Sequence, residues 1–300
     1  MQKPLKRKLC LCSLMTRPFN IHFQENIEMT KIHPTAVIEP SAKIGNDVVI
    51  GPNCYVDSGS EIGDGCILDA NVVIGKNVKI GQKNVFYPNC VIGRNPQMLG
   101  ATPDTICGGL EIGNSNMIRE FVTIHPSIYS DSKTIIGNNN LIMVGTHIGH
   151  DCIVEDKTVL SNVTQISGHC KIETGVWLSG SVLIQQFTTI GKWAYSAALA
   201  GINHDIPPFC VVSGHYPPEI RIINKRGLNR AGLNEQQQKA VTDAFRFIFR
   251  NKAKTPIIEN AKELAAKGGL DENVQAIVDC ILKSSLHRHG RYLESLRRKH

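Results

Sequence analysis

Aromatic residues are scarce in this 300-residue chain, at 6% with two tryptophans, and no aromatic-interleaved basic patch occurs. That argues against a surface that stacks nucleic-acid bases, although the net charge is +7. No run of about 18 apolar residues exists to span a membrane as a helix. No C-x-x-C pair occurs among the ten cysteines, so a zinc ribbon or dithiol redox motif is excluded. Acid is missing from the first 24 residues, which carry Lys3, Lys6, Lys8, Arg7 and Arg17 before Glu25. An acid-poor, basic start predicts a transit peptide or disordered leader over 1–28, hence an organelle location, the mitochondrial matrix first. The short apolar run LCLCSLM fits a signal peptide less well, because no small-residue cleavage site follows it. Without import the protein is expected in the cytoplasm.

What is abundant is a period of six. An aliphatic or aromatic residue recurs from Ile32 through Ile38, Ile44, Ile50, Val56, Ile62, Leu68, Ile74, Ile80 and Phe86 to Ile92. The series resumes at Ile112, Ile118 and Ile124, and again from Ile136 to Ile190. Such a repeat is the signature of a parallel β-helix. Two residues before each aliphatic, on the same strand face, stands a small or β-branched residue such as Ala36, Val48, Cys54, Cys66, Thr146 or Thr164. One inward row is large and the other small, which lets a narrow interior pack without voids. Cys54, Cys66, Cys90, Cys152 and Cys170 fall in the small row and read as buried packing residues. Cys152 and Cys170 are candidates for a bridge if they stack.

The pattern resembles the hexapeptide-repeat acyltransferase superfamily. That resemblance implies a left-handed parallel β-helix with three hexapeptides, about 18 residues, per lap. The predicted fold is mainly β: a β-helix acyltransferase domain over 29–216, then a small α-helical domain over 217–300 that closes one end. Helices are expected at 234–250 with an Asn cap, at 255–269 with a Thr cap and Pro first, and at 271–289. Two segments break the register, 94–110 and 126–134. They are either contact loops or neutral insertions.

The stretch HIGHDC, 147–152, places Ile148 inward, so His147 faces out. His150 and Asp151 then fall at a corner and are expected exposed, while Cys152 turns into the core and is a poor nucleophile. One lap beyond His150 is Gly168, and one further is Gln186; Asp151, His169 and Phe187 form the adjacent column. A base, an acid that orients it and a bare backbone N–H are the parts that acyl transfer to a hydroxyl requires. The bland alternative is a polar corner without chemistry, but the clustering of His125, His147, His150 and His169 favours a site.

The motifs VTIHP, HIGHDC, SGH, DIPPF and NKRGLNRAGL make the resemblance specific. In order and spacing, over roughly 30–290, the chain resembles the acyl-[acyl-carrier-protein]–UDP-N-acetylglucosamine O-acyltransferases of lipid A synthesis. The resemblance implies His150 as general base, Asp151 as its orienting acid and Gly168 as the oxyanion N–H. It implies substrate contacts from His125, His147, His169, Gln186 and Gln97, with Asn224 and Arg230 reaching the UDP moiety. It also implies a homotrimer with clefts between subunits, an acyl carrier protein as donor partner, and no cofactor or metal. Ala198 stands where a glycine helps set acyl length, which predicts a modest preference for shorter chains. Gln185, Met98, Arg226 and Ala231 also depart from the better-known bacterial pattern. The rivals are an N-acyltransferase of the same pathway, a carbonic-anhydrase-like zinc protein using His147 and His150, and a silent scaffold.

Overall fold

The computed structural model describes residues 29–251 and 255–297; the leader 1–28 lies outside the described residues. From Lys31 to Ile202 the chain winds through 26 strands of two to four residues, paired parallel in three sheets; two later strands extend one of them, so that the sheets have eleven, nine and eight strands. Register follows the period. His147 pairs with Gln165, and Gln165 with Leu183, each one lap of 18 residues on. Where the repeat is broken the lap lengthens but pairing is kept: Val91 pairs with Thr123, and Thr123 with His147. Both interruptions are therefore loops extruded from an intact solenoid.

From Ile50 onward the large inward row is buried, with Ile50, Leu68, Phe86, Ile118, Ile148 and Ile166 all at most 1% exposed, whereas Ile32 at the open first lap is 47% exposed. All five small-row cysteines are buried and free, Cys152 and Cys170 included, so the possible bridge between those two is absent. The small row also holds three buried asparagines that the size rule did not anticipate. Asn116 donates to the Asn84 side chain at 2.9 Å, and the Asn140 backbone N–H donates to that of Asn116 at 2.9 Å. Each side-chain oxygen accepts from the next lap, which satisfies groups that would otherwise be costly to bury, although Asn140 Nδ2 is left without a partner among the described residues.

Corners turn through left-handed backbone. Eighteen non-glycine residues, among them Asn53, Asn71, Lys157, Val163, His169 and Phe187, have φ near +60°. Asn suits that conformation; the bulky residues hold it because the ladders on either side leave no alternative.

After Ile202 the chain makes the strands Cys210–Ser213 and Glu219–Ile223, which pair antiparallel at the end of the eleven-stranded sheet. The range 217–300 thus opens on a strand rather than a helix. Helices α1 (Lys225–Arg230), α2 (Glu235–Phe249), α3 (Ile257–Lys267), α4 (Glu272–Ser284) and α5 (Tyr292–Ser295) follow. Asn234 caps α2 in a reciprocal capping box with Gln237. In α3 the cap position is Pro256 and no side chain caps it, so Thr255 does not play its expected part. Val241, Phe245, Ile248, Ala261, Val274 and Ile277 bury the helices against one another. The unit docks on the last laps through Lys192 to Asn273 at 3.0 Å, Ser284 to Asp205 at 2.9 Å and Arg291 to the Asn203 carbonyl at 2.9 Å.

Candidate active site

Four of the eleven histidines meet where the nine-stranded sheet turns toward the eight-stranded one. His147 lies on the strand His147–Ile148 with its ring outward, and Nδ1 is 2.9 Å from Thr123 Oγ1. His125 is almost fully buried, its Nδ1 2.8 Å from the Arg94 carbonyl, and its ring is 5.2 Å from that of His147. Burial pushes both imidazoles down, His147 to about 4 with help from His125 and His150, so both are neutral near neutral pH.

His150 and Asp151 are not the exposed edge the sequence predicts. Their side chains are 15% and 7% exposed. The 126–134 segment folds over the carboxylate: the Ser127 hydroxyl donates to Oδ1 and the Ile128 N–H to Oδ2 at 3.1 Å. His150 Nδ1 reaches Oδ2 at 2.8 Å, and the Asp151 N–H donates to Thr134 Oγ1 at 2.8 Å. Burial alone would raise the Asp151 carboxyl, but the donors His150, Ser127 and Ile128 outweigh it and hold it below the usual range. An ionised Asp151 accepts the Nδ1–H of His150, which leaves Nε2 with its lone pair turned to the surface.

Gly168 lies against His150, one lap on. A Cβ built on Gly168 would sit 2.5 Å from His150 Cε1 and 2.7 Å from Nε2, so only glycine leaves room for the ring. The backbone ladder confirms the register, because the His169 N–H donates to the His150 carbonyl at 2.9 Å. Among the described residues no acceptor takes the Gly168 N–H. Gln186 continues this column and is exposed. In the next column His169 meets His150 edge-on at 4.8 Å and stacks flat on Phe187 at 4.5 Å. A cavity of 220 Å³ opens beside Asp151 and His169, walled by Tyr129, Phe187, Leu293 and Arg297. Cys152 is fully buried and its thiol is pushed well up by burial beside Cys170. That is the environment of an inert packing cysteine.

Other expected site residues lie apart. Gln97 is exposed on the 94–108 loop, beside a second cavity that Arg94 and Met98 also line. Ala198 is exposed. Asn224 is buried at 8% exposure, donating to the Trp193 carbonyl at 2.7 Å and capping α1 through the Gly227 N–H. Arg230 packs over the Trp177 and Trp193 rings at 5.3 and 5.2 Å. Trp177 belongs to the eleven-stranded sheet and His147 to the nine-stranded one, so Asn224 and Arg230 do not join the histidines within one protomer. Gln185, where a histidine is usual, accepts from the Tyr216 hydroxyl at 2.9 Å.

As for metal chemistry, the one group of three potential donors among the described residues is His150, Asp151 and His169, without His147. Both oxygens of Asp151 already accept N–H or O–H donors, which is the environment of a hydrogen-bonded carboxylate. Ser127 and Thr134 escaped the sequence reading. Their only trace was that both are hydroxyl residues within the 126–134 break.

Comparison with known proteins places the chain among relatives of the same repeat and fold. Residues 28–58 and 59–94 match the family model "Bacterial transferase hexapeptide (six repeats)". Residues 205–290 match "Udp N-acetylglucosamine O-acyltransferase; Domain 2". A protein of Ectopseudomonas mendocina named acyl-[acyl-carrier-protein]–UDP-N-acetylglucosamine O-acyltransferase is 41% identical over 83% of this chain and 97% of its own length. One of the same name from Gloeothece citriformis is 40% identical over 47% of this chain, an alignment that spans about half of that relative, 51%. Among solved structures, the Francisella novicida UDP-N-acetylglucosamine acyltransferase superposes with a TM-score of 0.78 at 32% identity, over 86% of this chain and 92% of that one. The repeat and the similarity over most of the chain agree: this chain belongs to the acyl-[acyl-carrier-protein]–UDP-N-acetylglucosamine O-acyltransferase family.

Proposed function

We propose that the protein transfers an (R)-3-hydroxyacyl group from the phosphopantetheine thioester of acyl carrier protein to the 3-hydroxyl of UDP-N-acetylglucosamine. This is the opening step of lipid A synthesis, and His150 acts as general base. The observation that carries the reading is the Asp151–His150 pair with Gly168 packed against the ring. As the sugar oxygen attacks the thioester carbonyl, His150 Nε2 takes its proton. The Gly168 N–H holds the oxyanion, a contribution typically worth about 10²–10³ in rate. Collapse expels the pantetheine thiolate, which recovers the proton from the imidazolium. Transfer is direct: the buried Cys152 cannot reach the acyl group, and trapping an acyl-protein adduct would contradict this. No metal or cofactor takes part.

The active form is a homotrimer. The outward face of the eleven-stranded sheet carries Val49, Ile67, Val85, Met117 and Leu141 in line, partly exposed, which suits a subunit contact. Asn224 and Arg230, stranded on another side of their own protomer, then face the histidines of a neighbour and hold the nucleotide. The +7 charge suits an acidic carrier protein. Residues 1–28 act as an import sequence, which a fusion of this segment to a reporter tests by where the reporter goes. The function itself is tested by incubating the protein with UDP-N-acetylglucosamine and a series of hydroxyacyl carrier thioesters and weighing the product. A single O-acyl adduct is expected, with the shorter hydroxyacyl chains preferred because Ala198 adds a methyl group where glycine is usual. An adduct on an amino sugar alone would move the protein to the N-acyltransferases.

A further inference from the structure

Ser127 is fully buried, and both register breaks converge on it. Its backbone exchanges hydrogen bonds with the end of the first break: the Gly108 N–H donates to the Ser127 carbonyl at 2.9 Å, and the Ser127 N–H to the Gly109 carbonyl at 3.2 Å. Gly108 permits that approach, since a Cβ there would lie 2.0 Å from the Tyr129 carbonyl oxygen. The first break starts at Arg94, whose carbonyl holds His125, and carries Gln97. The Ser127 hydroxyl accepts the Tyr129 N–H at 2.9 Å, and of the two acceptors its own proton can reach, the Tyr129 carbonyl at 3.1 Å and Asp151 Oδ1, the carboxylate is the nearer and carries the charge.

We propose that Ser127 is a positioning residue for the acyl transfer: its hydroxyl orients the Asp151 carboxylate toward His150 and shares that carboxylate's charge, joining both loops to the base. This rests on the reading of His150 as base. A carboxylate that accepts a second strong donor is less basic, so it stabilises the His150 imidazolium less. With the hydroxyl in place, less of the carboxylate's charge is turned to the ring than in its absence.

Other groups also face this pair. His169 Nδ1 is 4.0 Å from Asp151 Oδ2, and the Cys107 thiol on the first break senses the Asp151 charge. Lys171 and Arg297 share the neighbouring cavity, and His125 and His147 sense the charge of His150. The Ser127 hydroxyl is the donor to Oδ1, so its loss takes that donor from a carboxylate only 7% exposed, and more of the charge turns to the imidazolium.

The test compares wild type with Ser127→Ala and Ser127→Cys, full length, with folding checked by circular dichroism. Two readouts are used: the pH dependence of kcat, and the titration of the His150 ring followed by nitrogen-15 NMR. The expected result for Ser127→Ala is an acid limb and a His150 titration both moved upward, by about half to one pH unit. KM for either substrate should change less than about twofold. Ser127→Cys, with a weaker donor, should move both part of the way and serves alone if the alanine variant does not fold. A uniform loss of rate with the acid limb unmoved would overturn the proposal, because a merely structural serine does that. The NMR titration needs no turnover. If His150 proves not to be the base, that titration still decides whether Ser127 tunes the pair, and an unmoved midpoint there overturns the proposal independently.

Discussion

At the residue scale the site depends on the side chain that Gly168 lacks. Its Cα approaches the His150 ring so closely that a methyl group must displace the imidazole or lift the coil. Gly168→Ala is therefore expected to lower kcat by roughly 10²–10⁴, the range of a lost general base. The unfolding midpoint should stay near wild type, because the ring can swing outward to make room. Equal activity in this variant would mean that the ring and the amide do not work together. The 18-residue lap made this contact legible in the sequence, since it stacks position 168 on position 150. The burial of Asp151 was not legible. It depends on a loop whose path is set by contacts distant in sequence, Ser127 with Gly108 and Gly109, and no local pattern encodes those. Asn224 shows the opposite failure: its motif implied a ligand contact, while within the protomer its amide is spent on a cap and a carbonyl.

At the element scale the hexapeptide stores its strain at the corners. Lys157 is exposed and holds φ +58°, between Asn139 and Gly175 in the same corner column. A lysine there bears the steric cost of left-handed backbone, about 1–2 kcal/mol, whereas asparagine adopts it readily. Lys157→Asn should add about 1 kcal/mol and raise Tm by roughly 2–4 °C, measured by thermal unfolding. A lower Tm would show that neighbouring laps relieve the lysine already. Period and size alternation revealed strand positions and the buried rows because each hexapeptide repeats the same local problem. Asn84, Asn116 and Asn140 escaped because they solve it with hydrogen bonds along the stack rather than with volume. The start at Asn234 was readable from its cap and that at Asp271 from its acidic opening, although the cap bond of Asp271 to the Asn273 N–H was not foreseen; α3 was misplaced at its start because Pro256 itself holds the cap position.

At the scale of the whole molecule, the proposed function divides the site between two places on one protomer. The histidine corner and the Asn224–Arg230 end belong to different sides, and the apolar line from Val49 to Leu141 supplies the surface that would join copies. If the proposed trimer joins through this face, the double substitution Met117→Glu with Leu141→Glu reduces three copies to one, measured by light scattering against wild type. The β-helix circular dichroism should persist and activity should fall together with the trimer. An unchanged mass would remove that face from the interface. The most direct test of the central claim is the single-turnover rate of acyl transfer to UDP-N-acetylglucosamine by His150→Ala. The account predicts a loss of roughly 10²–10⁴ with fold and assembly intact; a loss smaller than about tenfold would show that another group takes the proton.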